Sequence, residues 1–168
     1  MKAEISDAIV NGDAPLAINA EIANEIHVDA ATHYTLMVKL NRDEPTNVAV
    51  QIELPALVTL ADTLIVAIDA NGKRPLASQI TAGNYGGVRL NFTDRLSAGA
   101  ENQYRLSIRF SSAPKSVLQI NAAVSEEGGQ ASINSATFFQ PENGAVKERG
   151  AFQASKALNV APVVNRED

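Results

Sequence analysis

Four segments of the chain alternate between apolar and polar side chains. In "YTLMVKL" Tyr34, Leu36, Val38 and Leu40 share one face, and Thr35, Met37 and Lys39 the other. In "NVAVQIEL" Val48, Val50, Ile52 and Leu54 alternate with Ala49, Gln51 and Glu53. "GVRLNF" places Val88, Leu90 and Phe92 together, and "QYRLSIRF" sets Tyr104, Leu106, Ile108 and Phe110 against Arg105, Ser107 and Arg109. A period of two belongs to half-buried β-strands, whose successive side chains point to opposite faces of a sheet. One face in a core and one in water is the habit of antiparallel sheets, because parallel sheets are covered on both sides. Helical periodicity is nearly absent.

The punctuation agrees with this reading. "RDEPTN", "DANGKRP", "NYGG", "LSAGAEN", "SSAP" and "SEEGGQ" are clusters of turn-forming residues. Asn71-Gly72 after "LIVAID" is a hairpin signal with these two as central residues, because both tolerate positive φ. Further strands are expected over residues 3–10, 16–24, 64–69, 116–125 and 131–139. About eight or nine short strands at this spacing predict an all-β, antiparallel β-sandwich, with a barrel as the alternative. Ile120 and Val124 should join the four apolar sets in its core. The sandwich is expected to occupy residues 1–140. Residues 141–168 read as a linker-like segment in which "AFQASKALNVAPVV" adds at most one strand. From about residue 160 onward the backbone is expected to exchange its amides freely.

One pattern is written twice. Tyr34, Leu36, Val38 and Leu40 recur as Tyr104, Leu106, Ile108 and Phe110, and Val48 to Leu54 recur as Leu118 to Val124. Two copies are too few for a solenoid. The expectation is two related hairpins that offer their apolar faces to one core from opposite sheets.

With 168 residues the chain can bury a core without metal or disulfide help, and it has no cysteine to form either a disulfide or a thiolate site. A net charge of −5 with no basic cluster argues against nucleic acid, whose phosphates demand a positive surface. No apolar run approaches the length of a membrane-spanning helix. The start, "MKAEISDAIVNGD", lacks the apolar stretch of a signal peptide. It fits a module from a longer secreted chain or a protein that stays inside.

Candidate chemistry is sparse. His27 and His33 have neither metal-ligand spacing nor an acidic partner nearby, and the parity of His33 puts it in solvent. No nucleophile elbow, cysteine nucleophile or phosphate loop occurs. Asp69 to Lys73 lack the alternating acids and closing glutamate of a calcium loop, so a turn is expected there. Asn91-Phe92-Thr93 matches the glycosylation sequon in mid-strand. Some sandwich modules crosslink a buried lysine to an asparagine. Lys39 faces outward by parity, and the parity of Lys2 cannot be assigned, so both are taken as solvated. Of three tyrosines, only Tyr85 is left outside the predicted core, on the turn "NYGG", as a candidate ligand-binding residue. No catalytic, cofactor-binding or metal residue is expected.

The order of motifs resembles the conserved-repeat, immunoglobulin-like domain of bacterial and archaeal cell-surface and adhesin-type proteins. "DAATHYTLMVKLN" matches its small-residue turn and Tyr-containing strand, and "TNVAVQIELPALVTL" its strand running into Leu-Pro. "VRLNFTDRLSAGAENQYRLSIRF" matches its Leu-x-Ala-Gly turn, "LQINAAVS" its Asn-bearing return strand, and "INSATFF" its Asn-Ser-Ala-Thr strand. The resemblance covers about residues 20–140. "SEEGGQ" stands where the family has an acidic spacer, which takes calcium reinforcement out of what the resemblance implies. The implied function is a non-enzymatic structural or adhesive module of a larger secreted or cell-surface protein, without cofactor. Its partners would be neighbouring domains of the same chain and an extracellular protein or polysaccharide, and the isolated module would be monomeric. A carbohydrate-binding module and a structural subunit of a virion or other assembly are the alternatives.

Overall fold

The structure, a computed structural model, describes residues 15–23, 25–127, 132–140 and 151–160, with backbone alone at 140 and 151–160. The strand expected at 3–10 and the tail beyond 160 lie outside the described residues. Among the described residues there are thirteen strands: β1 Leu16–Ile22, β2 Glu25–His27, β3 Ala31–Leu40, β4 Thr46–Leu54, β5 Val58–Leu60, β6 Ile65–Asp69, β7 Gly72–Leu76, β8 Gln79–Ala82, β9 Val88–Leu96, β10 Glu101–Phe110, β11 Leu118–Glu126, β12 Ser132–Gln140 and β13 Ala151–Val160. One sheet runs β1-β3-β10-β6-β7, with β5 on the same edge of β10 as β6; the other runs β2-β13-β12-β11-β4-β9-β8. Every pairing is antiparallel. Among the described residues there is no α-helix, and none long and apolar enough to cross a membrane.

The strand count exceeds the expected eight or nine because β2, β5, β7 and β8 run for only three to five residues. So short a run carries too few residues for alternation to register. Of residues 141–168, taken as linker-like, 151–160 form β13, which is hydrogen-bonded between β12 and β2. The turn after β6 also differs from expectation. Asp69 pairs with Gly72, so Ala70 and Asn71 are the central residues, and of these four only Gly72 has positive φ, at 119°. The Asp69 carboxylate accepts the Asn71 backbone N–H at 2.8 Å, an Asx-type contact that closes the turn.

The repeated units are not hairpins in opposite sheets. Each sends its first strand to one sheet and its second to the other, and equivalent strands pair with each other: β3 with β10, β4 with β11. Thr35 pairs with Arg105, and Ile52 with Ala122; both are matches between equivalent residues of the two copies. One pseudo-two-fold axis therefore runs through the middle of both sheets. Alternation was blind to this, because a strand's faces are the same whether its sequence neighbour lies beside it or across the core.

The inward faces are the predicted ones. Tyr34, Leu36, Val38, Val50, Ile52, Leu54, Leu90, Phe92, Tyr104, Leu106, Ile108, Ile120 and Val124 are all buried. Phe110 meets Phe139 edge-on with centroids 5.0 Å apart, and Phe92 tilts against Tyr104 at 5.2 Å, joining the two sheets through aromatic contacts. Three hydroxyls in this core, Tyr34 Oη, Ser135 Oγ and Thr137 Oγ1, make no hydrogen bond. Burial pushes the Tyr34 phenol up, and the nearby Thr137 hydroxyl pulls it partly back without closing a bond of normal geometry. Tyr34→Phe is thus expected to leave stability unchanged or raise it by about 1 kcal/mol in urea unfolding, since no partner is lost. A loss of that size instead would show that the hydroxyl is bonded.

Candidate functional site

Tyr85 lies between β8 and β9, on a single 3-10 turn over Asn84–Gly86. Its side chain is 98% exposed, and its backbone sits in the left-handed region at φ 53°, ψ 42°. That conformation is unfavourable for a bulky residue and persists only where surroundings impose it. Here they do. The Gly83 N–H donates to the Gly87 carbonyl at 2.9 Å, and the Gly87 N–H to the Asn84 carbonyl at 3.0 Å, closing the loop. Gly87 presses on the end of β4 so closely that a Cβ there would come within 2.1 Å of the Leu54 carbonyl oxygen. Gly86 takes φ 82°. These contacts pack the loop against the end of β4 and leave the aromatic ring out in solvent.

Beside the ring is an open groove of about 460 Å³, lined by Glu53, Pro55, Asn84, Val117, Gln119 and Asn121 among others. It continues onto the outer face of the seven-stranded sheet. There Gln79, Asn91, Gln51, Ala123 and Asn134 fall in one row across five strands, by direct register. Every residue of that row except Ala123 carries a side-chain amide. Among the described residues, this face's charged cross-strand pair, Glu53 with Arg89, is closed by a hydrogen bond from Arg89 Nε to Glu53 Oε2.

The other residues singled out from the sequence are not drawn together. His27 and His33 are both exposed, on β2 and β3. Lys39 is exposed and donates to the Gly99 carbonyl at 3.2 Å; Lys2 lies outside the described residues. Asn91 is half-buried in the middle of β9. Among the described residues no group of three or more His, Cys, Asp or Glu side chains could hold a metal ion.

Sequence reasoning missed two charged clamps, one between the sheets and one between a strand and the loop that joins them. Asp94 occupies an inward position of β9, in step with Leu90 and Phe92. Its Oδ2 accepts hydrogen bonds from Tyr104 Oη at 2.6 Å, Arg74 Nη2 at 2.7 Å and Asn102 Nδ2 at 3.3 Å, all from the facing sheet. Arg74 Nε also reaches Asp69 at 3.1 Å. Glu126 stands at an inward position of β11, 6% exposed, and takes both Nε and Nη2 of Arg42 at 2.6 and 2.8 Å. Both acids pair in register with Val48, so they share one row at one end of the sandwich. The available signal was an acid continuing an apolar alternation, "VRLNFTD" and "LQINAAVSE". Burial alone would raise the Asp94 carboxyl, but the hydrogen bonds from Arg74 and Tyr104 outweigh it, leaving it below the usual carboxylate range. The Tyr104 phenol is pushed up by burial and by the Asp94 charge. These groups hold sheets together; they present no nucleophile to solvent.

No protein-family model matches the chain, and no curated protein sequence does. Solved structures do match in three dimensions. The major pilin SpaD from Corynebacterium diphtheriae superposes with TM-score 0.54 at 10% identity, over 80% of this chain and 39% of that one. A variant of BcpA, the major pilin subunit of Bacillus cereus, gives TM-score 0.47 at 12% identity, over 88% and 40%. A protein from Nocardia farcinica described as having an immunoglobulin-like fold gives 0.45 at 14%, over 86% and 98%. The chain spans well under half the length of either pilin. At these identities the likeness is one of fold alone, and the fold shared with SpaD is an antiparallel β-sandwich.

Proposed function

We propose that the chain is a non-enzymatic structural or adhesive unit of a larger secreted or cell-surface protein, working outside the cell beside neighbouring domains. The observation that carries this reading is the double clamp. Arg74–Asp94 ties one sheet to the other, and Arg42, on the loop that carries the chain from β3 to β4, closes on Glu126 at the same end, over a core built from both sheets. Such a unit resists shear between its layers, which suits a stalk or spacer. The fold it shares with SpaD, a major pilin, adds support. The absence of a nucleophile–base pair or metal cluster among the described residues fits a non-enzymatic role.

Antibodies raised against the sandwich should label intact cells of the source organism, or its culture medium. Labelling that appears only after lysis would overturn the reading. In solution the isolated chain should sediment as a monomer; large symmetric particles would favour a subunit of an assembly instead.

A further inference from the structure

We propose that Tyr85 and the amide-lined face beside it form a binding site for a neutral polysaccharide chain. The inference rests on the adhesive form of the reading above and names its partner. Three observations carry it. The first is the Tyr85 ring, 98% exposed on a backbone conformation that costs stability, in a loop closed by its own hydrogen bonds and packed through Gly87 against the end of β4. A strained, fully presented aromatic contributes nothing to the core, so folding does not account for it. A flat exposed ring is the surface on which the apolar face of a sugar stacks.

The second is the chemistry of the groove. Asn84, Gln119 and Asn121 bring amides, each with donors and an acceptor, to the groove beside the ring. Pairs of adjacent sugar hydroxyls need that combination. The amides of Gln51, Asn91 and Asn134 extend it across the sheet. A groove of about 460 Å³ at the Tyr85 end falls in the range that holds small ligands.

The third is charge. Glu53 and Arg89 are spent on each other, so the described residues that line the groove offer no free cation for an acidic polymer and no free carboxylate for a basic one. Beyond Tyr85 and Val117, its lining lacks the exposed apolar anchors on which protein interfaces are centred. An uncharged, hydroxyl-rich chain is the occupant that satisfies what remains.

The experiment immobilises neutral glycans (cellulose, chitin, xylan, mannan and β-1,3-glucan) beside the acidic polymer alginate, and measures retention of the chain and its variants. At least one neutral glycan should be retained. Tyr85→Ala should weaken that retention at least about tenfold, the scale of one well-placed contact. Asn121→Ala should weaken it several-fold, Tyr85→Phe should retain it, and Lys39→Ala, remote from the groove, should leave it unchanged. Tyr85→Gly adds a readout of strain: it should lose binding yet melt a few degrees higher, because glycine accepts the left-handed conformation. Three results would overturn the proposal: no neutral glycan retained, retention of alginate alone, or retention indifferent to Tyr85→Ala. Failure here with surface labelling intact would sink the site and spare the structural module. Glycan binding by a chain found only inside cells would do the reverse.

Discussion

Asp94→Ala is expected to lower the unfolding free energy by about 2–4 kcal/mol at neutral pH. Removing the carboxylate strips Tyr104 Oη of its 2.6 Å acceptor and leaves the Arg74 guanidinium facing the core with only Asp69 to pair it. A fully buried pair broken in this way costs about 3–5 kcal/mol. The Arg74 side chain is 36% exposed and can recover part of its hydration, so the lower range applies. Acid should expose the same interaction. The folded Asp94 carboxyl lies below its unfolded value, so its contribution is complete above the unfolded pKa of about 3.9. It disappears as the pH falls through the folded value. Asp69 is also lowered, by the Asn71 N–H and by Arg74, and follows the same sign. Urea unfolding of wild type and Asp94→Asn at pH 7, 4 and 2.5 separates the two. The variant should lose less stability on acidification, and parallel acid limbs would show that Asp94 carries no net interaction.

Leu106→Ala should cost about 2–5 kcal/mol, the range for a leucine removed from a packed core. Leu106 is 1% exposed and pairs in register with Tyr34 at the middle of its sheet. Leu36, its equivalent in the other copy, pairs with Tyr104 and is equally enclosed, so Leu36→Ala should fall in the same range. Arg105, one position away, faces outward beside Thr35, and Arg105→Ala should change stability by less than about 0.5 kcal/mol. Equal losses at Leu106 and Arg105, read from denaturant midpoints at constant slope, would refute the assignment of faces.

The candidate site was legible only in part. Tyr85 stood out because the other two tyrosines fell on apolar faces and it fell on a glycine-rich turn. Its left-handed backbone was not legible, because the loop that carries it packs through Gly87 against the Leu54 carbonyl, a contact with β4, far back along the chain. The amide row was invisible for a similar reason. Gln79, Asn91, Gln51, Ala123 and Asn134 come from five strands, and only pairing register brings them to one line.

What the sequence determined by itself is which way each long strand faces. Side chains alternate because of local backbone geometry, and slipping β4 or β10 by one residue would turn its entire apolar set into water. That penalty is large enough to be written into every second residue. What the tertiary structure decided is which strands lie side by side. Nothing local distinguishes β3 paired with β4 from β3 paired with β10, since either buries Tyr34, Leu36, Val38 and Leu40 equally well. The same holds for Asp94. At an inward position it is a liability until Arg74, Asn102 and Tyr104 arrive from the facing sheet, and only the packing of one sheet on the other brings them there.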